Sequence, residues 1–354
     1  MAVTAGMVKE LREKTGAGMM DCKKALVASN GDIEAASDWL KNKGLSSAGK
    51  KADRIAAEGA VVIKIEDGFS KATMVEVNAE TDFVAKNEQF KNFAASVVEQ
   101  VHTQKPADID ALNATQINGG SFEEYVKSNI STIGENIVIR RFDSVEASGN
   151  DVVNGYIHMG GQIGVLVEAS CEKAEMRNDV ADFLKQLSMH IAAMKPSILS
   201  YTEFDADFVA KETEGMIKTI EKDNEERARL KKPLKNVPQF VSKVQLTDAV
   251  MADVETKLKE ELTAEGKPEK IWDKILPGKL TRFVADNTLL DQELCLLDQF
   301  YALDDKKTVS TIVEEKSKAL GGKIEITKFV RFELGDGIEK KEDDFAAEVE
   351  AQLK

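Results

Sequence analysis

Cysteine is scarce in this sequence, and long apolar runs are missing. The three cysteines, Cys22, Cys171 and Cys295, lie far apart among 354 residues, so neither a disulfide framework nor a zinc site is indicated. A membrane-spanning helix needs about 20 consecutive apolar residues, and no segment approaches that length. The N-terminus also has no apolar signal-peptide segment. We therefore expect a protein of the reducing cytoplasm.

Histidine is equally rare, and the motifs of common enzyme sites are absent. His102, His158 and His190 are the only histidines, and neither His-x-x-His nor Cys-x-x-Cys occurs. A Gly-x-Ser-x-Gly elbow and a Gly-x-Gly-x-x-Gly loop are absent too. An enzyme is therefore the weaker interpretation. His158 falls at a predicted hairpin turn, where a structural role and contact with a partner both remain open.

Positive charge is in deficit, because the net charge is −14. This balance disfavours a general nucleic-acid binder, which needs a basic face to neutralise phosphates. Residues 44–50 fit the spacing of a phosphate-binding loop, but Lys51 replaces the Ser or Thr that would hold magnesium, and a predicted helix precedes the loop. We predict a basic linker over Gly44–Asp53, where weak contact with a phosphate backbone remains open. The local basic cluster consists of Lys41, Lys43, Lys50, Lys51 and Arg54.

Three short apolar stripes at helical spacing occur within residues 1–43, separated by breaks at 15–18 and 30–32. They predict a three-helix module similar to the ubiquitin-associated fold, with little buried area of its own. Met19 and Met20 fall where that fold presents its contact loop. Methionine adapts to irregular surfaces, although filling the core is an alternative role for at least one of them.

The segment Glu80–Asn87 is the most informative stretch. Residues 73–78 alternate like a strand, while Phe90 and Phe93 begin a helical pattern, so the segment joins a strand to a helix. Thr81 or Asp82 is placed to cap that helix. Two interpretations follow for Phe83. It is either a core residue, or an exposed aromatic held beside an acid as a wedge for a partner's pocket.

An internal repeat with an offset of 90 residues runs through 57–197. Each copy predicts a β-hairpin followed by a helix, which indicates an α+β core of two related subdomains with small antiparallel sheets. Phe93 has the apolar counterpart Phe183, but Asp82-Phe83 is matched by Glu172-Lys173. A phenylalanine needed only for shared packing should have an apolar counterpart, so this asymmetry favours the wedge.

The remainder of the chain is mostly helical in pattern. Residues from about 203 to 305 predict an inserted helical hairpin with coiled-coil character. A second Asp-Phe-Val-Ala-Lys occurs there at 207–211, outside the repeat, and we interpret it as a chance match on a helix. Residues 322–333 predict a strand. Residues 343–353 predict an amphipathic C-terminal helix, which docks on the protein itself or on a partner.

Several motifs give the sequence a clear resemblance to the bacterial elongation factor Ts family. Thr15–Leu26, after Leu11-Arg12, resembles the N-terminal signature of that family, and Glu76-Val77-Asn78 with Thr81–Lys86 resembles its second signature. Segments 133–137, 189–193 and 332–345 add to the resemblance. It covers essentially the whole chain, although residues 223–250 have no clean counterpart in shorter members.

The resemblance implies a guanine-nucleotide exchange factor for elongation factor Tu, acting in translation elongation without a cofactor, a bound metal or a bond-breaking site of its own. It puts Thr81, Asp82, Phe83 and Val84 at the partner's magnesium and phosphate site. Further partner-binding residues implied by the resemblance are Arg12, Met19, Met20, Ile133, His158, Phe345 and Val349. It implies no membrane contact and requires no direct binding of nucleic acid, and contact with the ribosome has no support in the sequence.

We expect four parts in the chain, with the module and basic linker first. The module and linker span residues 1–55, and the first core subdomain spans 56–145. The second core subdomain spans 146–334, with the helical arm inserted at about 203–305. A C-terminal helical module spans 335–354. Two other functions remain as alternatives. One is a scaffold or adaptor that binds proteins through its ubiquitin-associated-like head, and the other is an unrecognised hydrolase on the repeat core.

Overall fold

The structure is a computed structural model that describes residues 3–339, with only the backbone described at 45–48. These residues form two compact units. The first unit comprises residues 3–169, 177–192 and 329–339, and the second comprises 170–176 and 193–328. Helices and small antiparallel sheets occur together, so the α+β prediction is confirmed. No helix in the described part of the chain is long and apolar enough to cross a membrane.

The N-terminal module consists of α1 (Ala5–Thr15), α2 (Met19–Ala28) and α3 (Ile33–Gly49). Its small core is built from the apolar stripes of the three helices, namely Leu11, Cys22, Ala25, Leu26 and Ala36. Helix α3 continues to Gly49, six residues past the predicted end of the third helix, so the first part of the predicted linker over Gly44–Asp53 is helical. A Cβ on Gly44 would lie 3.2 Å from Ser131, so close packing against a neighbouring helix supports this extension.

The first sheet contains β1 (Glu58–Ile65), β2 (Lys71–Ala79) and β5 (Ile137–Glu146) in the antiparallel order β1-β2-β5. Every residue of the central strand β2 is buried, because helix α5 (Glu88–Gln104) covers one face of the sheet and the hairpin over 152–171 packs on the other. The chain between β2 and β5 also forms the elements α4 (Asp82–Ala85), α6 (Ile109–Ala114), β3 (Gln116–Ile117), β4 (Gly120–Ser121) and α7 (Phe122–Ile133).

The second copy of the repeat begins with β6 (Val152–His158) and β7 (Ile163–Cys171), followed by α8 (Arg177–Met194). This is the hairpin and helix that the offset of 90 predicts. Apolar residues of this hairpin, Val153 and Leu166, pack in one cluster with Val61 and Met74 from the first hairpin. The two hairpins therefore share a core.

The segment after α8 is largely helical, as predicted. Its elements are α9 (Ala206–Arg229), α10 (Asp248–Ala264), α11 (Trp272–Asp286), α12 (Leu289–Leu294), β8 (Phe300–Tyr301), β9 (Asp304–Thr308), α13 (Val309–Leu320) and β10 (Ile324–Glu333). Helices α10 and α11 form a hairpin in which Lys279 pairs with Glu261 at 3.2 Å and with Glu265 at 3.3 Å. Strand β10 completes a sheet of order β10-β7-β6, as the strand prediction for 322–333 requires.

The second Asp-Phe-Val-Ala-Lys motif lies within α9, which Asp205 caps. Its prediction as a helical segment is therefore confirmed. The predicted C-terminal helix over 343–353 lies outside the described residues.

Candidate partner-binding site

Two successive caps create a one-turn helix directly after β2. Thr81 is the N-cap of α4, and its side-chain oxygen accepts a hydrogen bond from the Val84 backbone N–H at 3.3 Å. Asn87 then caps α5 by accepting from the Gln89 N–H at 2.8 Å, so the prediction that Thr81 or Asp82 caps the helix of Phe90 is wrong. The chain therefore turns twice within a few residues, and the short α4 is held between a fully buried strand and a long helix.

The side chains of α4 divide between the core and solvent. Val84 and Ala85 pack against the first core, the apolar cluster between the first sheet and α5. Phe83, in contrast, exposes 82% of its surface. The interpretation of Phe83 as a core phenylalanine is therefore wrong. Because side chains of a helix turn by about 100° per residue, Phe83 points away from the side on which Val84 and Ala85 meet the core. The repeat asymmetry was the sequence signal that distinguished the two cases.

A carboxylate from a distant segment holds the start of this turn. Glu135 accepts a hydrogen bond from the Thr81 backbone N–H at 3.0 Å and another from the Thr81 hydroxyl at 2.6 Å. In return, Glu80 accepts from the Asn136 backbone N–H at 2.6 Å. The segments 80–81 and 135–136 thus form a reciprocal clamp. Glu135 lies in the segment 133–137 that resembles the family, but no local feature of the sequence indicates that it reaches Thr81.

Asp82 lies beside Phe83 on the exposed face of α4. Its carboxylate pairs with Lys86 one turn later at 2.7 Å. This hydrogen bond lowers the pKa of Asp82 below its ordinary value of 3.8, so the carboxylate is ionised at neutral pH. The exposed face of α4 therefore offers an apolar ring next to a permanent negative charge.

The turn after β6 approaches the same end of the first sheet. Gly161 accepts a hydrogen bond at its carbonyl from the Val61 N–H at 2.8 Å, and a Cβ on Gly161 would lie 2.9 Å from Ala60. Ala60 pairs with Val77 near the end of β2, where the chain leaves for α4. His158 opens this turn, half-buried, and its Nδ1 lies 3.3 Å from the Tyr156 hydroxyl.

The N-terminal module contributes exposed residues near α7. Met19 and Met20 expose 59% and 66% of their surfaces at the start of α2, and Arg12 is also exposed. A Cβ on Gly16 would lie 3.5 Å from Thr132, so the loop between α1 and α2 reaches the end of α7. Neither methionine fills the core of the module.

Ile133, the last residue of α7, connects this region to the clamp. It is partly buried against the first core and precedes the clamp residue Glu135 by two positions. The loop of the module therefore lies close to the end of α7, and the end of α7 leads within two residues to Glu135, which bonds the turn at 81–84. Phe345 and Val349 lie outside the described residues. Within 3–339, no three His, Cys, Asp or Glu side chains are grouped to hold a metal ion.

Comparison with known proteins identifies the family. The family model described as Elongation factor TS matches residues 80–237 and 235–336. Elongation factor Ts of Campylobacter concisus is 56% identical over 353 residues, covering 100% of both chains. Elongation factor Ts of Campylobacter curvus is 54% identical with the same coverage, and that of Helicobacter hepaticus is 52% identical over 99% of both chains. The chain therefore belongs to the elongation factor Ts family.

Proposed function

We propose that this protein is the guanine-nucleotide exchange factor of elongation factor Tu. It binds the GDP-bound form in the cytoplasm, disturbs the magnesium and phosphate site, and promotes release of GDP during translation elongation. The observation that carries the proposal is Phe83, an aromatic side chain that is 82% exposed on a turn with a cap at each end. Partner-binding energy tends to concentrate in a few such aromatic residues.

The rigidity of the turn supports a wedge in preference to a flexible contact. Thr81 is fixed by two hydrogen bonds to Glu135, and Val84 is anchored in the core. A side chain ordered before binding loses less conformational entropy when it enters a pocket. More of the contact energy of Phe83 is then available to open the nucleotide site of the partner.

Asp82 provides the second part of the mechanism. Its ionised carboxylate lies next to Phe83 and is fixed on α4 by Lys86. Magnesium prefers a strict octahedral shell of oxygen ligands, so a carboxylate brought close to that shell strains the ligation of the ion. The exchange factor binds the nucleotide-free partner more tightly than the GDP-bound partner. By reciprocity, it lowers the partner's affinity for GDP and magnesium by that same factor.

The other predicted residues supply docking in this scheme. Met19 and Met20, with Arg12, offer an exposed surface on the N-terminal module, and His158 lies near the end of the sheet from which α4 emerges. We assign Ile133, which is partly buried at the end of α7, to docking as well. We assign Phe345 and Val349 to a further docking helix. Contact at several points clamps the partner while the α4 turn acts on its nucleotide site.

Release of fluorescent GDP from elongation factor Tu tests the proposal directly. We expect the full-length protein to accelerate release in the presence of magnesium and excess unlabelled GDP. A scaffold would form a complex without changing the release rate. A hydrolase would convert the nucleotide, which chromatography of the released fraction would reveal. Either of those outcomes would overturn the exchange function.

Asp82→Ala separates the two parts of the mechanism. The variant should slow release mainly when magnesium is present, because the carboxylate is proposed to act on the metal ligands. In the presence of a chelator the rates of the variant and the parent should converge. An equal loss under both conditions would show that Asp82 acts through general docking.

A further inference from the structure

A second polar feature of the first compact unit lies away from the α4 turn. A cavity of about 500 Å³ opens between the N-terminal helices and α7. Lysines from separate parts of the chain line it together with two serines of α7. The residues that matter for its chemistry are Lys14, Lys41, Lys43, Lys51, Ser128 and Ser131.

The balance of charge in this cavity opposes that of the whole protein. Four lysines line it with a single carboxylate, Asp21, whereas the chain carries a net charge of −14. Cations gathered in one concave site reinforce one another and attract anions. Gly18, the N-cap of α2, lies in the wall of the cavity and has no side chain to cap the first N–H groups, so the positive end of the helix adds to this potential.

The internal ion pairs of the lysines are weak competitors for such an anion. Lys43 pairs with Asp21 at 2.6 Å, Lys41 pairs with Glu124 at 3.1 Å, and Lys14 pairs with Glu34. Each partner exposes at least 41% of its side chain, and exposed pairs contribute only about 0–1 kcal/mol. These lysines can therefore turn toward a ligand at little cost.

Lys51 differs from the other three lysines. Among the described residues its ammonium group contacts only the carbonyl oxygen of Ile130, at 3.4 Å, and no carboxylate. It is partly buried at the edge of the cavity, so its charge has little else to neutralise it. An anion in the cavity would provide the missing counter-charge.

We propose that this cavity binds the phosphate group of a small phosphorylated ligand. Phosphate oxygens accept hydrogen bonds from lysine ammonium and serine hydroxyl groups, and both kinds of donor are present. The volume of about 500 Å³ falls within the range of roughly 300–1,000 Å³ that is usual for small-molecule sites. A nucleic-acid strand follows an extended basic groove instead, and the acidic balance of the chain disfavours such a groove.

The elements that build the cavity give binding a structural consequence. Lys14 lies on α1, Lys41 and Lys43 lie on α3, and Ser128 and Ser131 lie on α7. A bound phosphate would therefore join the N-terminal module to the core subdomain. Since a ligand that binds only the folded state stabilises it by mass action, the module should melt at a higher temperature when the cavity is filled. This role is independent of nucleotide exchange on the partner.

Calorimetric titration of the full chain with pyrophosphate at low ionic strength tests the proposal, with Lys51→Gln and Lys50→Gln as a matched pair. Both substitutions remove one charge, but Lys50 is exposed and does not line the cavity. We expect saturable binding to the parent, roughly tenfold weaker binding to Lys51→Gln and unchanged binding to Lys50→Gln. Lys51→Arg should retain binding. Amide resonances of Ser128 and Ser131 should shift on titration.

Equal weakening in both glutamine variants would overturn the proposal, because it would indicate only general attraction to the basic segment. Binding of a short single-stranded RNA without binding of pyrophosphate would overturn it too. Melting curves without ligand establish whether each variant is folded. If Lys51→Gln is not, Ser131→Ala provides the same test from α7, and unchanged affinity in that variant would then count against the site.

Discussion

The two strand-to-helix junctions of the repeat have similar frameworks and opposite surfaces. After β2, the chain is tied to the loop between α7 and β5 by the bonds of Glu135 to Thr81. After β7, it is tied to the loop between α13 and β10, where Glu172 accepts a hydrogen bond from the Lys323 N–H at 2.7 Å. Each of those loops begins with a glycine in the left-handed conformation, Gly134 or Gly321, that ends the preceding helix.

One large apolar side chain in each junction has the opposite environment, although Met176 lies three positions beyond Lys173, the counterpart of Phe83 in the repeat. Phe83 exposes 82% of its surface, whereas Met176 in the second junction exposes 2%. A Cβ on Gly322 would lie 2.7 Å from the Met176 sulfur, so the loop at 321–323 covers that side chain closely. The second junction is closed by the chain itself, and the first leaves its aromatic residue uncovered. An exposed phenylalanine on such a framework is consistent with the proposed binding surface, since a similar framework buries Met176 in the second junction.

The largest effect on stability should come from truncating Met176, the buried side chain of the second junction. Met176→Ala should lower the free energy of unfolding by about 2–5 kcal/mol, the usual cost of truncating a buried side chain. Chemical denaturation measures this loss. The folded fraction should still accelerate GDP release at the parent rate. Slower exchange by folded protein would contradict a purely structural role for the second junction.

On the exposed side, Phe83→Ala should leave the melting temperature nearly unchanged. GDP release should slow by roughly 30- to 1,000-fold, because a hot-spot aromatic residue is worth about 2–4 kcal/mol when its contact is made in the transition state. Stopped-flow kinetics measures the rate, and Lys173→Ala at the matched position of the second copy is the control. A Phe83→Ala protein that exchanges nucleotide at the parent rate would refute the wedge.

Glu135 should act as a positioning residue, since it reaches the partner only through Thr81. Glu135→Gln loses one of two acceptor oxygens, so we expect exchange to slow by about tenfold with a modest loss of stability, on the order of 1 kcal/mol. Glu172→Gln, which changes the carboxylate that ties the second junction to its loop, should leave exchange unaffected. The proposed role requires that combining Glu135→Gln with Phe83→Ala adds little to the rate loss of Phe83→Ala alone, and fully additive losses would contradict it.

The smallest effect concerns the charge beside Phe83. Lys86→Ala removes the hydrogen bond that lowers the pKa of Asp82, so that pKa should rise toward 3.8. A lowered pKa means that the pair stabilises the fold at pH values above about 4 and that this contribution is lost as the pH falls through the lowered pKa. Carboxyl carbon resonances of Asp82 followed from pH 2 to 6 measure the shift, and an unchanged pKa would remove Lys86 as its cause.

Much of the fold follows from local patterns in the sequence. The alternation over 73–78 predicts the strand, and the apolar spacing from Phe90 onward predicts α5, because burial of one face imposes a period on each kind of element. The sequence also predicted a cap at Thr81 or Asp82 but assigned it to the helix of Phe90, whereas Thr81 caps the one-turn α4 and Asn87 caps α5. The repeat offset also located the second hairpin and α8 correctly.

Only the tertiary structure decided which side chains these elements leave exposed. The clamp joins Thr81 to Glu135 across 54 positions, and no local signal encodes a contact at that distance. Glu76 is another example, fully buried in β2 and paired with Arg140 at 3.0 Å and Arg141 at 2.6 Å. A charge can be buried there because its partners come from the adjacent strand β5. Local hydrogen bonding and periodicity thus determined the elements, whereas long-range packing determined that Phe83 faces solvent.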